Sequence, residues 1–385
     1  MNMKVCITKS ILALTASLAL AGCAGNNAPS PAETLKERLQ AVAAEGKFVY
    51  IHQDDLVYGH TWKVEDVDGD DLQRSDVKSV CGQFPGGVGF DLGGIELGDT
   101  ANLDGVPFDL MRRAAVTHFE RGGIVTFSWH PRNPLTGGDA WDISSDKAVA
   151  SVLEGGENHV KFMDWLSNAA DFLGSLKDSE GGQIPVIFRP WHENLGSWFW
   201  WGGKLCTADE YKALYSLTHS YLSVERGLTN LVWAYSPNSD LTEESFESRY
   251  PGDDLVDIIG VDHYDYAAAD STKTDAQRFA EANDHYVKVL RSDLALLSGI
   301  AAQRGKLLAL CETGFESIPD PSWWTDVLLE GVKGAPVCYV LTWRNAWDKP
   351  GHFYAPFPGS GDSENFKEFC GSDRTIFIEQ EATNR

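Results

Sequence analysis

Two glutamates follow apolar runs, in places where a charged side chain needs a chemical reason. Glu193 lies in the stretch FRPWHENLGSWFWW (Phe188–Trp201), after the apolar residues IPVI. Glu312 directly follows the apolar run Leu307–Cys311. Burying a carboxylate is costly unless it is paired or used, and burial among aromatics raises the pKa of a carboxyl group, as a catalytic acid requires. Two carboxyl groups facing one another across a sugar can break a glycosidic bond, one as proton donor and one as nucleophile.

Eight short apolar runs alternate with segments of helical period and predict the frame that would hold these glutamates. The runs are rich in Val, Ile, Leu and Phe, as parallel strands covered on both faces are. Such alternation predicts one α/β domain, a single (β/α)₈ TIM barrel with extended βα loops. The predicted strands are Phe48–His52, Val88–Leu92, Ile124–Trp129, Ile184–Arg189, Leu231–Tyr235, Val256–Asp262, Leu307–Cys311 and Val337–Trp343.

The connections between these strands contain amphipathic segments. The predicted helices are Asp109–Arg121, Asn158–Lys177, Thr207–Glu225, Thr274–Arg304, Trp323–Lys333 and Asn365–Cys370. The longest, Thr274–Arg304, is expected to break once. Between the first two strands the helical signal is weakest. The acidic run Asp66–Asp71 is interpreted as a solvated loop, because it lacks the glycine at position six and the glutamate at position twelve of a calcium loop.

Nearly every predicted strand ends in a polar or aromatic group. In a barrel of this type the carboxyl ends of the strands meet at one rim, where active sites form. One such ending is commonly structural, and a single rim glutamate is as readily a salt-bridge partner, but eight such endings together favour a site. They are His52, Asp54, Asp91, Glu96, Trp129, His130, Arg189, Trp191, His192, Asn194, Tyr235, Asn238, Asp262, His263, Tyr264, Trp343, Arg344 and Asn345.

An ordered set of these motifs resembles glycoside hydrolase family 26, which is dominated by β-1,4-mannanases. The set begins with the run from Phe188 to Asn194 and ends with Glu312-Thr-Gly314. The resemblance extends from about His52 to Trp347 and covers nearly the whole mature chain. It also includes Gly59-His60, Ser128-Trp-His-Pro131, Asp262-x-Tyr264 and Thr342-Trp-Arg344.

The resemblance implies a retaining double displacement, with Glu193 as the general acid/base and Glu312 as the nucleophile. Their carboxyl groups should then lie about 5–5.5 Å apart. Tyr264 would donate a hydrogen bond to Glu312 and keep it ionised and oriented. No metal or organic cofactor is implied.

The resemblance also implies which residues bind the sugar. Arg344 would hold the sugar two units from the cut on the non-reducing side, and Trp343 would be a stacking floor. His192 could alternatively be a packed strand-end histidine, and Trp198 could be a packing residue. Trp141 lies in a loop that does not align readily with the family. The expected substrate-binding residues are His130, Trp141, His192, Trp198, Tyr264, Trp343 and Arg344.

The N-terminus has the features of a secretory signal. Two lysines precede an apolar run, Ile11–Ala21, which is too short to span a bilayer as a helix. Leu20-Ala-Gly-Cys23 resembles a bacterial lipobox, with an ordinary cleaved signal as the alternative. We therefore expect a signal peptide at 1–22, a lipidated Cys23 with a tether and lead-in at 23–45, and a catalytic domain at 46–385. The stretch after Cys23 lacks the acidic cluster of surface-exported Bacteroides-like lipoproteins, which favours a cell-envelope lipoprotein that faces the periplasm.

The composition of the chain limits the kinds of partner that it could bind. The net charge of −24 argues against nucleic acid and anionic lipid surfaces, so membrane attachment would be through the N-terminal lipid alone. The 13 Trp and 12 Tyr favour stacking on a neutral ligand such as β-mannan or a manno-oligosaccharide, bound by a monomer. The mature chain has an odd number of cysteines without a metal-binding pattern, and one disulfide among Cys81, Cys206 and Cys370 stays open, whereas Cys311 and Cys338 are expected as core thiols.

Several functions remain open at this point. The same fold could act on β-1,3-xylan or mixed-linkage β-glucan, and a non-catalytic glycan-binding lipoprotein would keep the aromatics but lose a carboxylate. Acyl transfer finds little support, because the chain has no G-x-S-x-G motif. Endo and exo action are both open, and the long loops Thr61–Ser75 and Asn133–Gly156 could block one end of the cleft.

Overall fold

Eight parallel strands close into a barrel in the computed structural model, which describes residues 28–65 and 72–379. Each strand pairs with its neighbour in the chain, and the last pairs with the first, Val49 facing Tyr339 and His52 facing Thr342. The predicted (β/α)₈ barrel is therefore confirmed. The strands are β1 Phe48–Gln53, β2 Gly87–Asp91, β3 Ile124–Trp129, β4 Val186–Pro190, β5 Leu231–Tyr235, β6 Ile258–Asp265, β7 Leu307–Phe315 and β8 Val337–Thr342.

Helices surround the barrel. Short 3₁₀ segments lie at Ile95–Leu97 and Asp253–Leu255, and π-helical turns at Ser220–Glu225 and Trp323–Leu329. Among the residues that the structure describes, no helix is long and apolar enough to cross a membrane. The α-helices are α1 Pro31–Ala44, α2 Asp76–Cys81, α3 Phe108–Glu120, α4 Ala148–Val152, α5 His159–Gly174, α6 Ala208–His219, α7 Glu243–Arg249, α8 Asp275–Arg304 and α9 Ser363–Cys370.

Helix α8 runs for 30 residues without the break that the sequence led us to expect. It begins with a capping box between Thr274 and Gln277 and ends at Gly305, whose left-handed conformation terminates the last turn. No proline interrupts the segment, and its buried face continues to Ala301. The expected break was therefore wrong.

Helix α1 was not predicted. The sequence suggested a tether reaching Ala32 and a lead-in up to residue 45, but the structure has a helix from Pro31. Ser30 caps it, and the buried residues Leu35 and Leu39 pack beneath the barrel. Lys36 reaches Asp257 at 3.0 Å. The helix is therefore part of the barrel's lower surface, whereas Cys23 and the proposed signal lie outside the described residues, as does the loop Asp66–Asp71.

In the described ranges 28–65 and 72–379, four short strands lie outside the barrel. Thr375–Ile378 pairs in parallel with the start of β1 and antiparallel with Phe84–Pro85. Tyr58–Gly59 and Trp62–Lys63 form a small hairpin just after β1. The strand Thr375–Ile378 therefore lies beside the start of β1, outside the barrel.

The five described cysteines are free thiols. Cys311 and Cys338 are buried in the core, as expected. The Cys81 and Cys370 thiols lie near one another and both donate to Gln83, to its backbone O at 3.5 Å and to its Oε1 at 3.9 Å, whereas Cys206 contacts Arg249. Of the pairings left open, the structure therefore brings Cys81 and Cys370 together, in reduced form.

Candidate active site

The two glutamates meet at the carboxyl end of the barrel. One carboxylate oxygen from each of Glu193, Asp262 and Glu312 lies within 4.8 Å of the others. Strands β6 and β7 continue past the predicted ends, so Asp262 and Glu312 lie inside strands. The register between β6 and β7 shifts between Leu310 and Glu312. Cys311 packs in the lower core while Glu312 faces the rim, so neighbouring residues of one strand serve opposite purposes.

Both oxygens of Glu312 accept hydrogen bonds. The buried guanidinium of Arg189 donates to Oε1, and Tyr264 donates its hydroxyl proton to Oε2 at 2.8 Å. Arg189 also donates to Asp262 at 2.8 Å. Donors on both oxygens fix the plane of this carboxylate, and a nucleophile must be held in a defined orientation to react. The expected bond from Tyr264 is therefore present.

Glu193 is held in a strained turn that follows β4. Its φ of 52° lies in the left-handed region, which is costly for a residue other than glycine, and its backbone N–H donates to Ser236 O at 2.8 Å. The indole N–H of Trp198 donates to Glu193 Oε2 at 2.6 Å. Burial and the nearby charge of Glu312 raise the pKa of Glu193 to about 7. A carboxyl group that keeps its proton near neutral pH can serve as a general acid.

Two histidines lie beside these carboxylates. His130 Nδ1 is 2.6 Å from Asp91 Oδ2, and His130 Nε2 is 3.0 Å from His192 Nε2. Trp141 stacks on the His130 ring, with centroids 5.3 Å apart and planes 13° apart. The structure thus brings His130 and Trp141, which follow β3, together with His192, which follows β4.

On one side of the histidines the barrel rim carries a second buried charge pair. Arg344 approaches Asp104 at 3.0 Å and donates to the Tyr58 hydroxyl at 3.3 Å. Next to this pair lies a cavity of about 560 Å³. Its lining includes Leu103, Asp104, His130, Trp141, Trp343, Arg344 and Trp347.

A second cavity, of about 410 Å³, is lined by Glu193 and by residues of β6. Trp198 and Tyr266 line it, and both side chains are substantially exposed. Exposed aromatic rings beside a carboxyl group can stack on the apolar faces of sugar rings. Trp198 therefore lines this cavity while its indole N–H contacts Glu193.

The Glu193–Asp262–Glu312 group also has the donor atoms of a metal site. Arg189 already forms ion pairs with both Asp262 and Glu312. A guanidinium between two carboxylates supplies the positive charge that a metal ion would otherwise bring. The arrangement suits acid–base and nucleophilic chemistry by side chains alone.

Four residues that shape the site received no role from the sequence. Asp91, Arg189 and Asp262 were recognised as strand-end groups, but nothing in the sequence showed which partners they would contact. Asp104 was not singled out, because it lies within a polar loop, GDTANLDG. The signal that could have found Arg189 is its position two residues before Trp191, at the end of a wholly buried strand.

The chain is similar in sequence and in structure to known glycosyl hydrolases. The sequence model of glycosyl hydrolase family 26 matches residues 46–297. A β-mannanase structure from Bacteroides ovatus superposes with a TM-score of 0.83 at 43% identity, covering 91% of this chain and 96% of that one. The catalytic domain of an endo-β-1,4-mannanase from Bacillus sp. JAMB-750 gives 0.78 at 32% identity, covering 92% and 94%. A mannan endo-1,4-β-mannosidase of Bifidobacterium adolescentis is 32% identical over 85% of this chain, which spans only 33% of that relative's length.

Proposed function

We propose that this chain, which belongs to glycosyl hydrolase family 26, is a retaining hydrolase that cleaves β-1,4-mannosidic bonds in mannan or manno-oligosaccharides. The observation that carries the proposal is the approach of Glu193 and Glu312 oxygens to within 4.8 Å. Retaining enzymes place their carboxyl groups about 5–5.5 Å apart, whereas inverting enzymes leave roughly 6.5–9.5 Å for a water molecule. The names of the relatives from Bacteroides and Bifidobacterium support mannan as the substrate.

In the first step a Glu312 oxygen attacks the anomeric carbon while the bond from that carbon to the leaving sugar breaks. Glu193 gives its proton to the leaving oxygen, so the departing sugar is a neutral alcohol and Glu193 becomes a carboxylate. The hydrogen bonds from Arg189 and Tyr264 hold the attacking carboxylate in one orientation. The product is an ester between the sugar and Glu312.

In the second step a water molecule takes the place of the departed sugar. Glu193, now ionised, accepts a proton from this water while the oxygen of the water bonds to the anomeric carbon. The ester bond to Glu312 breaks, and that carboxylate recovers its hydrogen bonds from Arg189 and Tyr264. Two inversions at one carbon give net retention.

The test is hydrolysis of a substrate panel by the purified protein. We expect reducing sugar from β-1,4-mannan, and little from β-1,3-xylan or mixed-linkage β-glucan. Faster hydrolysis of either of these polysaccharides would change the assigned substrate but not the family. The axial 2-hydroxyl is the feature of mannose by which the site would distinguish the substrates. Loss of all activity in Glu312→Ala, with retained mannan binding, would separate catalysis from glycan binding alone.

The mode of attack that we propose is release of short products, with mannobiose prominent, from the non-reducing end. Support comes from Arg344, which Asp104 and Tyr58 hold beside the cavity at the rim. Leu103 and Trp141 line the same cavity and narrow it. The loop Asn133–Gly156 thus contributes Trp141 to this side. A rapid fall in mannan viscosity with little release of reducing sugar would instead indicate internal cutting.

The location that we propose is the periplasmic face of the cell envelope in a Bacteroides-like bacterium, with lipid on Cys23 as the anchor and the enzyme acting as a monomer. Support comes from the lipobox-like sequence and from the similarity to the Bacteroides ovatus β-mannanase. Cys23→Ser should release the enzyme from the membrane fraction. Removal of the enzyme by protease from intact cells would contradict the periplasmic orientation, and a mass of two chains in solution would contradict the monomer.

A further inference from the structure

Asp91 contacts no reacting group in the mechanism above, yet four donors converge on its buried carboxylate at the end of β2. Oδ1 accepts hydrogen bonds from the N–H of Gly93 at 2.7 Å and of His130 at 3.2 Å. Oδ2 accepts from the Ser128 hydroxyl at 2.7 Å and faces His130 Nδ1 at 2.6 Å. Burial raises the pKa of Asp91, but His130 and these donors bring it below the ordinary value. Asp91 is therefore an acceptor, and His130 Nδ1 must carry a proton.

The next contact in this chain is between two ring nitrogens. His130 Nε2 and His192 Nε2 are 3.0 Å apart, so one nitrogen must carry the proton between them. If His130 carries it, His130 is an imidazolium and His192 has its own proton on Nδ1. If His192 carries it, His130 is neutral and His192 Nδ1 is a bare acceptor. The position of one proton therefore decides whether His192 Nδ1 donates or accepts.

Two physical effects choose between these states. Burial lowers the pKa of His130, but the charge and hydrogen bond of Asp91 outweigh it and shift the pKa upward. Burial, the charge of Arg189 and the charge of His130 lower the pKa of His192 well below its usual range. The proton is thus favoured on His130. The charged groups that act on His130, or on which it acts, are Asp91, Asp104, Arg189, Glu193 and Glu312.

His192 Nδ1 is buried and has no hydrogen-bond partner in the structure. An unpaired buried N–H or ring nitrogen is costly, and such atoms are retained where a ligand supplies the partner. His192 directly precedes Glu193, and its ring packs against His130 and Phe199. A sugar hydroxyl beside the scissile bond would satisfy Nδ1.

We propose that Asp91 is a positioning residue: its carboxylate holds His130 as the doubly protonated imidazolium, whose Nε2–H donates to His192 and leaves His192 neutral with its proton on Nδ1, directed to a sugar hydroxyl. The inference rests on the proposed function for the identity of that hydroxyl's sugar. It does not rest on it for the protonation states, which can be measured without substrate.

The first measurement is a pH titration by NMR of the full-length mature enzyme labelled with ¹⁵N-histidine. Between pH 5 and 7 we expect His130 to have both nitrogens protonated, and His192 to be neutral with Nδ1–H. In Asp91→Asn the titration of His130 should move to lower pH by about one unit or more, because a neighbouring carboxylate shifts a pKa by 1–3 units. A neutral His130 at pH 6, a proton on His192 Nε2 at pH 6, or an unchanged titration in Asp91→Asn would each overturn the proposal.

A matched control is Asp293→Asn. Asp293 is also buried and also accepts hydrogen bonds from two backbone N–H groups, those of Asp240 and Leu241, but it lies on α8. This substitution should leave the titration of His130 unchanged, whatever it does to stability. A shift of the same size there would mean that Asp91→Asn acts through general loosening of the fold, and would overturn the inference.

The second measurement is kinetic. Asp91→Asn should lower kcat/KM at pH 7 by at least ~10-fold, and equally for mannotriose and an activated aryl mannoside, because both present the same sugar to His192. Asp91→Glu restores the negative charge and should recover part of the loss. Unchanged kinetics despite the expected NMR shift would show that the hydrogen-bond chain is structural only. A wild-type enzyme that cleaves neither substrate would overturn the proposed function, while the NMR titration would still decide the protonation states.

Discussion

The two ends of the barrel are built from the same strands but from different side chains. At the lower end, apolar residues of the strands form one buried cluster with Leu35 and Leu39 of α1. At the upper end the strands terminate in buried Asp, His, Arg and Glu. Several of the polar atoms there have no hydrogen-bond partner within the part of the chain that the structure describes, namely His52 Nε2, Asp54 Oδ1, Asp55 Oδ2, His192 Nδ1 and Asp262 Oδ1.

This difference separates stability from function along a single strand. Apolar burial at the lower end contributes free energy of folding, at about 25 cal/mol per Å². Unpaired buried polar atoms and the left-handed φ of Glu193 at the upper end oppose folding and persist where function needs them. Strand β7 shows both within two residues, since Cys311 packs below and Glu312, the proposed nucleophile, lies above. Changes at the rim should therefore affect rates, and changes beneath should affect unfolding.

The largest effect is expected for Glu312→Ala. Without the nucleophile no glycosyl ester forms, so kcat should fall by about 10³-fold or more on every substrate while mannan binding persists. Rates on mannotriose and affinity gels containing mannan measure the two properties. Glu330→Ala, which removes an exposed glutamate paired with Arg291, is the control and should retain full activity. Near-normal activity in Glu312→Ala would remove the proposed mechanism.

The effect of Glu193→Ala should depend on the leaving group. Hydrolysis of mannan needs the proton and should become slow, whereas an aryl mannoside with a good leaving group should lose much less in its first step. In the proposed mechanism the protonated form of Glu193 is the acid, and the pKa of Glu193 is raised to about 7. Because a raised pKa keeps the proton on at lower pH, kcat/KM for mannan should fall as the pH rises through about 7. Equal losses on both substrates would instead mean that Glu193 is structural.

Beneath the barrel, Leu39→Ala should reverse this pattern. Leu39 is fully buried between α1 and the lower core, and a Leu→Ala change at such a site costs about 2–5 kcal/mol of unfolding free energy. Chemical denaturation measures the loss, and kcat and KM at 25 °C should stay within about two-fold. Gln40→Ala, on the exposed side of α1, is the control and should change stability little. A strong fall in kcat for Leu39→Ala would show that the two ends are coupled.

The sequence predicted the strands and the two glutamates at the upper end, but it did not predict helix α1 at the lower end. The strands were found because continuous apolar runs mark parallel strands, and Glu193 and Glu312 stood out because they follow such runs. Helix α1 was missed because its apolar signal is confined to a few positions such as Leu35 and Leu39, after a proline-containing stretch that is typical of a tether. Its capping box, Ser30 with Glu33, was the available signal.

Contacts between distant loops could not be derived from the chain alone. The Arg344–Asp104 pair joins residues 240 positions apart, and Asp91 at the end of β2 contacts His130 just after the neighbouring strand β3. Periodicity reports which face of a strand is buried, but it does not report which loop folds over which rim position. Trp141 illustrates the limit, since its loop resisted alignment and yet its ring stacks on His130.

The smallest effect, and the finest test of the rim, is expected for Trp198→Phe. The substitution keeps an aromatic ring but removes the N–H that donates to Glu193 Oε2 at 2.6 Å. That hydrogen bond lowers the pKa of Glu193 against the stronger upward effects of burial and Glu312, so its loss should raise the pKa further. Glu193 would then stay protonated to higher pH, and the alkaline limb of kcat/KM for mannan should move upward by about half a unit to one unit.

Trp324→Phe provides the matched control for that shift. Its indole also donates to a carboxylate, Asp362 at 2.7 Å, but on the outer side of the barrel. The control should lower stability and leave the alkaline limb in place, because no charge near Glu193 changes. For Trp198→Phe, the rate at the pH optimum should change by only about three-fold, since the acid itself remains. A limb that stays fixed in Trp198→Phe, or moves to lower pH, would mean that the indole does not bond to the ionised acid, and that Trp198 serves the rim by packing alone.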